Sequence, residues 1–220
     1  EVVSQFLRLM VLGRPGAGKT TFLKHLAILC NSEKFEPERV PIFVTLQDYA
    51  RNEESLESFI RRKWNEDCGI SDPLVLKDIL ESGQALILLD GLDEVIESRR
   101  LAVIRAIENL AGAYDQARIV VTCRIAAKEY IFPKFREVQV AEFDEGQIQS
   151  FVSKWFEQDK ERISKFFAKL EERPRIKHQA PNPLLLTFLC LIFEDRNDFY
   201  ENRALLYEKG IDLLMERWDS

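Results

Sequence analysis

The sequence contains no Cys-x-x-Cys pair, no internal repeat, no low-complexity tract and no apolar run that approaches the length of a membrane span. Cys30, Cys68, Cys123 and Cys190 stand far apart among apolar residues, so buried free thiols are expected in place of a disulfide framework or a zinc site. A reducing cytoplasm fits them. The longest apolar stretches, such as Ala85 to Leu89 and Pro183 to Phe193, fall short of the roughly 20 residues that cross a bilayer. No membrane span or secretory signal is visible. An excess of positive charge is missing too: 31 Lys and Arg stand against 37 Asp and Glu, for a net charge of -6. Without a basic stripe to neutralise a phosphate backbone, nucleic acid is not expected as a direct partner. His25 and His178 have no second ligand at metal spacing and receive no role.

What is present is enough apolar material for a packed domain. Hydrophobic residues make up 46% of 220, which suits one full domain plus a smaller appended one. The first residue is Glu1 in place of Met, and the last segment stops at Trp218-Asp219-Ser220 with a helical pattern still running. These ends are expected of a piece excised from a longer protein.

Phe6 to Leu12 is an almost unbroken apolar run ending in glycine, the signature of a strand buried on both sheet faces. Lys19 to Cys30 places Phe22, Leu23, Leu26, Ala27 and Cys30 at helical spacing. Pro41 to Leu46, Ala85 to Leu89 and Ile119 to Cys123 read as further strands, and Val138 with Val140 suggests one more. Helices are expected over Ser55 to Trp64, Pro73 to Leu80 and Leu101 to Ala111, the last with Leu101, Ile104, Ile107 and Leu110 facing inward. Strands alternating with helices in this way predict an α/β fold, a parallel sheet with helices on both faces. After Phe143 the pattern changes to helical spacing alone, as in Ile148, Phe151, Val152, Trp155, Phe156 and again in Ile163, Phe166, Phe167, Leu170. The expected division is a nucleotide-binding domain over 1–142 and a small all-helical subdomain over 143–220.

Gly13-Arg14-Pro15-Gly16-Ala17-Gly18-Lys19-Thr20 matches G-x-x-x-x-G-K-[ST] between an apolar strand and an apolar-periodic helix, the context in which the match is credible. Glycines let the backbone curl so that successive N-H groups point at phosphate oxygens, and the helix N-terminus adds positive potential. Lys19 is expected to bridge the β- and γ-phosphates of a nucleoside triphosphate, and the Thr20 hydroxyl to bind Mg²⁺. A glycine turn without a ligand is the alternative.

Leu86-Ile87-Leu88-Leu89-Asp90 is a buried strand ending in a carboxylate, which presents an acid to Mg²⁺ at the carboxyl edge of a parallel sheet. The alternative is an aspartate opening a turn with Gly91. About 70 residues separate Lys19 from Asp90, room for an extra strand between the two motif strands. Asp93, ahead of Glu94, is the candidate to orient or deprotonate the attacking water, unless the pair only caps the following helix. Arg124 closes the strand Ile119-Val120-Val121-Thr122-Cys123-Arg124, where it would read the γ-phosphate or pair with a surface acid. Asn182-Pro183 has the form of a routine helix start.

Taken in order, Gly13 to Thr21, Leu88-Leu89-Asp90-Gly91-Leu92-Asp93-Glu94 and Val121-Thr122-Cys123-Arg124 resemble a NACHT domain. Phe143 to Phe156, Asn182-Pro183-Leu184-Leu185-Leu186 and Arg203-Ala204-Leu205-Leu206-Tyr207-Glu208 resemble the helical region of bacterial NACHT proteins related to NOD-like receptors. The resemblance implies the STAND branch of P-loop ATPases, kin to AAA+ enzymes, in which exchange and hydrolysis of nucleotide switch a regulator between closed and oligomeric forms. It implies ATP or ADP ahead of GTP, Mg²⁺, a homo-oligomer when activated, and other domains of the same chain as partners. Gly91 stands where many AAA+ enzymes have a catalytic Glu, whereas NACHT domains carry a small residue there and an acid further on, which favours Asp93. Pro183 falls where the family has a proline near the adenine base. Two other readings share the phosphate loop. One is a non-hydrolysing, nucleotide-locked assembly scaffold. The other, a small-molecule kinase, is disfavoured because no arginine-rich lid segment is present.

Overall fold

The computed structural model describes residues 2–70, 72–127, 130 and 132–218. Glu1, Asp219 and Ser220, on which the expectation of an excised piece partly rests, lie outside the described residues. The chain forms two compact units, Glu1–Pro15 with Lys19–Val140, and Gly16–Gly18 with Ala141–Ser220.

The first unit begins with a one-turn helix α1 (Val2–Gln5) and strand β1 (Arg8–Gly13), then α2 (Lys19–Asn31) and β2 (Val40–Thr45). Three helices follow, α3 (Leu46–Ala50), α4 (Leu56–Cys68) and α5 (Pro73–Glu81), before β3 (Ala85–Asp90). Helix α6 (Glu97–Ala113), β4 (Arg118–Arg124) and β5 (Arg136–Gln139) complete it. All pairings are parallel, and the five strands lie in the order β2-β3-β4-β1-β5. The interval between the two motif strands does supply a strand, β2, but it lies at the sheet edge. The strand that separates β1 from β3 is β4, which follows both in sequence.

Period-two alternation divides the strand residues between two cores. Met10, Leu12, Ile87, Leu89, Ile119 and Val121 face Phe59, Ile60, Leu76, Leu80, Ile104 and Ile107 on α4 to α6. Leu9, Val11, Leu86, Leu88 and Val120 face Leu23, Leu26 and Cys30 on α2. Burial of each such side chain contributes roughly 1.5–3 kcal/mol, so the continuous apolar strands are what a sheet covered on both faces requires.

Three expectations need correction. Leu101 is 53% exposed, and Val103 is buried in its place beside Ile104, Ile107, Leu110 and Ala111. At 100° per residue, Leu101 sits roughly 120° from the centre of that stripe. Cys68 is exposed at the last turn of α4, whereas Cys30, Cys123 and Cys190 are buried and free as expected. The predicted first strand also starts later, at Arg8, whose buried guanidinium donates to the carbonyls of Ala111 at 3.0 Å and Tyr114 at 2.6 Å. A charge inside that apolar run is thereby satisfied by the open carbonyls at the end of α6.

The second unit contains, after Ala141, α7 (Glu145–Trp155), α8 (Lys160–Glu171), α9 (Pro174–Lys177), α10 (Pro183–Arg196) and α11 (Arg203–Trp218). Asp144 and Gln147 form a reciprocal capping box at the start of α7. Its core is aromatic: Phe166 meets Phe156, Phe193 and Phe199 with ring centroids 5.2–5.7 Å apart. The expected stripe is split, with Phe156 buried and Phe151 and Trp155 packed at the margin.

Candidate functional site

Gly13 is the last residue of β1 and pairs in register with Arg124, the last residue of β4. The phosphate-loop sequence therefore leaves the sheet beside Arg124. Gly16 and Gly18 adopt φ of +74° and +84°, left-handed values at which a side chain strains the backbone. A Cβ at Gly18 would meet nothing within 4 Å, so the space beside it is open. Lys19 begins α2, and its ammonium lies back across the loop, donating to Gly13 O at 3.2 Å and Arg14 O at 3.4 Å. Thr20 and Thr21 follow as exposed residues in the first turn, and Arg14 and Pro15 are exposed in the loop.

Within the second unit, the carbonyl of Gly16 accepts from Leu184 N at 3.3 Å. Asn182 Oδ1 caps α10 through Leu184 N and Leu185 N, at 3.1 and 3.2 Å, with Pro183 as the first helical residue. A Cβ on Gly16 would come within 2.8 Å of Leu184 Cβ and 2.9 Å of Asn182 Oδ1. Asn182-Pro183 is thus a helix start, as its sequence predicts, and it also abuts Gly16.

Asp90 ends β3 and is 7% exposed. The backbone pairing of β3 with β4 stops at Leu89 and Val121, one step before Asp90 and Thr122. Side chains continue the connection: Thr122 Oγ1 donates to Asp90 Oδ1 at 2.6 Å and accepts from Gly91 N at 2.8 Å. Gly91, at φ +77°, turns the chain into the 3-10 turn Leu92–Glu94. Glu94 folds back over it, with Oε2 3.1 Å from where a Gly91 Cβ would stand. Helix α6 starts only at Glu97, with Ile96 as its uncapped N-cap, so Asp93 and Glu94 do not cap it.

Asp93 is engaged elsewhere. Its Oδ1 accepts from Arg124 N at 2.8 Å, and its Oδ2 pairs with Arg124 Nε at 2.8 Å. The Asp93 side chain is 4% exposed and the Arg124 side chain 48%. Burial, reinforced by Asp93, pushes the Cys123 thiol up to about 11, which makes it an inert neighbour.

Register sets Asp90 level with Val11 two strands away, and Gly13 stands two residues further along β1, so about 12 Å separates Asp90 from Gly13. Within the first unit, a helix N-terminus, one ammonium, a threonine hydroxyl and a carboxylate therefore lie at the carboxyl edge of one sheet. That donor set fits a polyphosphate with a hard divalent cation. Thr122 was not among the residues that sequence spacing singled out. Its signal is a hydroxyl inside an apolar strand run, two residues before the strand's end.

A parallel sheet flanked by helices, a glycine-turned loop between β1 and α2 and a carboxylate at the end of β3 define a P-loop NTPase domain. Residues 7–159 match the NACHT domain family. The chain belongs to that family and is a nucleotide-binding module of it. No curated protein sequence matches it significantly. Among solved structures it is similar to C. elegans PCH-2, with 14% identity and a TM-score of 0.45 over 96% of this chain and 62% of that one. Domain III of the Thermotoga maritima replication initiation protein DnaA matches at 14% identity and a TM-score of 0.45, over 94% and 83% of the two chains. A STAND protein with a tetratricopeptide repeat sensor from Pyrococcus horikoshii matches at 17% identity and a TM-score of 0.48, over 94% of this chain and 30% of that one. The chain thus spans less than two thirds of the PCH-2 and Pyrococcus horikoshii chains. Among the described residues, no helix is long and apolar enough to cross a membrane.

Proposed function

We propose that the chain is the nucleotide-responsive part of a signalling switch, alternating between ATP- and ADP-bound forms and controlling oligomerisation of a larger regulator. In this reading the nucleotide-binding domain runs over 1–142 and the helical subdomain over 143–220. The backbone from Gly13 to Gly18 wraps the phosphates, Lys19 neutralises the β- and γ-phosphates, and Thr21 extends the helix N-terminus behind them. Thr20 and Asp90 hold Mg²⁺, which when bound neutralises charge on the phosphate oxygens. Arg124 reads the γ-phosphate, Asp93 orients the water with Glu94 as the second acid, and Pro183 lies against the base.

The observation that carries this reading is the two-bond tie between Asp93 and Arg124 beside Gly13. A γ-phosphate is an anion able to compete for that guanidinium, and a diphosphate lacks the group that would do so. ATP and ADP affinities, measured by titration calorimetry on the chain and on Arg124→Ala, test the reading. The substitution should weaken ATP about tenfold and ADP little. Equal weakening of both would remove Arg124 from the role.

The same ion pair favours a second reading, the nucleotide-locked scaffold. Both Asp93 oxygens are engaged by Arg124 and the side chain is only 4% exposed, so in this arrangement the acid has little access to an attacking water. Steady-state phosphate release separates the two: turnover that disappears in Asp93→Asn with binding retained supports the switch, and absence of turnover supports the scaffold.

A further inference from the structure

The polarity of the bonds around Thr122 determines which way its proton points. A hydroxyl has a single proton, and here the Thr122 oxygen already accepts from the Gly91 backbone N-H at 2.8 Å. The proton must therefore go to Asp90 Oδ1, 2.6 Å away, which is the distance of a charge-assisted bond to a carboxylate. Thr122 is 0% exposed and Asp90 7%, so no solvent hydroxyl stands ready to replace it. The bond also restrains Asp90 in rotation, and Oδ2 accepts no hydrogen bond among those described. Backbone pairing between β3 and β4 has already ended at Leu89 and Val121, so this side-chain bridge is what continues the register to the carboxylate.

We propose that Thr122 is a positioning residue that orients the Asp90 carboxylate for Mg²⁺ and so sets the Mg²⁺ dependence of nucleotide binding. The inference rests on the assignment of Asp90 as the Mg²⁺ ligand. Thr122→Val keeps the branched shape of the side chain and removes both bonds, and Thr122→Ser restores the hydroxyl with less packing.

The experiment titrates Mg²⁺ against binding of a fluorescent ATP analogue, with a parallel titration in EDTA and a thermal melt of each variant. Thr122→Val should raise the Mg²⁺ concentration for half-maximal enhancement roughly tenfold, the scale of one charge-assisted bond. Its affinity in EDTA should stay within about twofold of the parent, and Thr122→Ser should return the Mg²⁺ midpoint toward the parent value. An unchanged midpoint in Thr122→Val, or an equal loss with and without Mg²⁺, overturns the proposal and assigns the hydroxyl to packing alone. Should Thr122→Val not fold, Thr122→Ser and Thr122→Ala carry the comparison, and equal Mg²⁺ midpoints in those two overturn it equally. A parent chain that binds nucleotide without any response to Mg²⁺ overturns the Asp90 assignment as well, which separates the two failures.

Discussion

Arg124 and Asp93 hold each other at two points, backbone N to Oδ1 and Nε to Oδ2, both at 2.8 Å, with the acid buried and the base half-exposed. The carboxylate can lie at 4% exposure because a guanidinium and a backbone donor both meet it. Replacing either partner should therefore cost more than a surface ion pair does. A double-mutant cycle of Asp93→Ala and Arg124→Ala, read by urea unfolding, should show a coupling of about 1–2 kcal/mol. Additive losses would place the two residues in independent roles.

Lys19 contributes little to the fold itself. Its ammonium touches only the loop carbonyls of Gly13 and Arg14 among the bonds described, at the long end of the range. Lys19→Ala should leave the urea midpoint within about 0.5 kcal/mol of the parent and weaken both ATP and ADP at least tenfold. Intact affinities would remove the phosphate loop from the site.

The two left-handed glycines of the loop should differ in their tolerance of a methyl group. Gly18→Ala meets only the backbone penalty of a positive φ, about 1–2 kcal/mol, because the space around it is open. Gly16→Ala adds contacts of 2.8 and 2.9 Å with Leu184 and Asn182, so it should cost about 1–3 kcal/mol more. Equal losses would mean that Asn182 and Leu184 yield freely.

The thiols should separate sharply by reactivity. Cys68 is exposed, while Cys30, Cys123 and Cys190 are buried and burial pushes each of their thiols up. A thiol reagent at neutral pH should label Cys68 fast and the other three only after unfolding, as counted by mass spectrometry. Cys123 also predicts the sign of one alkaline effect. Its folded value of about 11 exceeds the unfolded value of roughly 8.5, so its protonated form favours the fold. That contribution is full below the unfolded value and is lost as pH rises toward 11. Cys123→Ala should flatten that part of the pH–stability profile.

The sequence by itself determined the parts whose physics is local. Strands buried on both faces must be apolar throughout, so β1, β3 and β4 were legible within a residue or two. A loop that curls through left-handed angles needs glycine, so Gly16 and Gly18 marked themselves. Asn182 before Pro183 likewise announced the start of α10 through capping alone. Sequence also produced the ordered set of motifs that the NACHT family match over residues 7–159 supports.

Only the tertiary structure decided the relations between elements distant in sequence. That β4, and not β2, lies between β1 and β3 is a matter of crossover topology, to which no local pattern is sensitive. Leu101 was placed on the wrong side of α6 because a period of three or four allows more than one apolar stripe, and packing chose the one through Val103. Asp93 and Arg124 were each candidates on sequence position. Their mutual capture, and the bridge from Thr122 to Asp90, exist because two strand ends more than 30 residues apart in sequence finish side by side. A hydrogen bond depends on distances of a few tenths of an ångström, which sheet register sets and residue spacing does not.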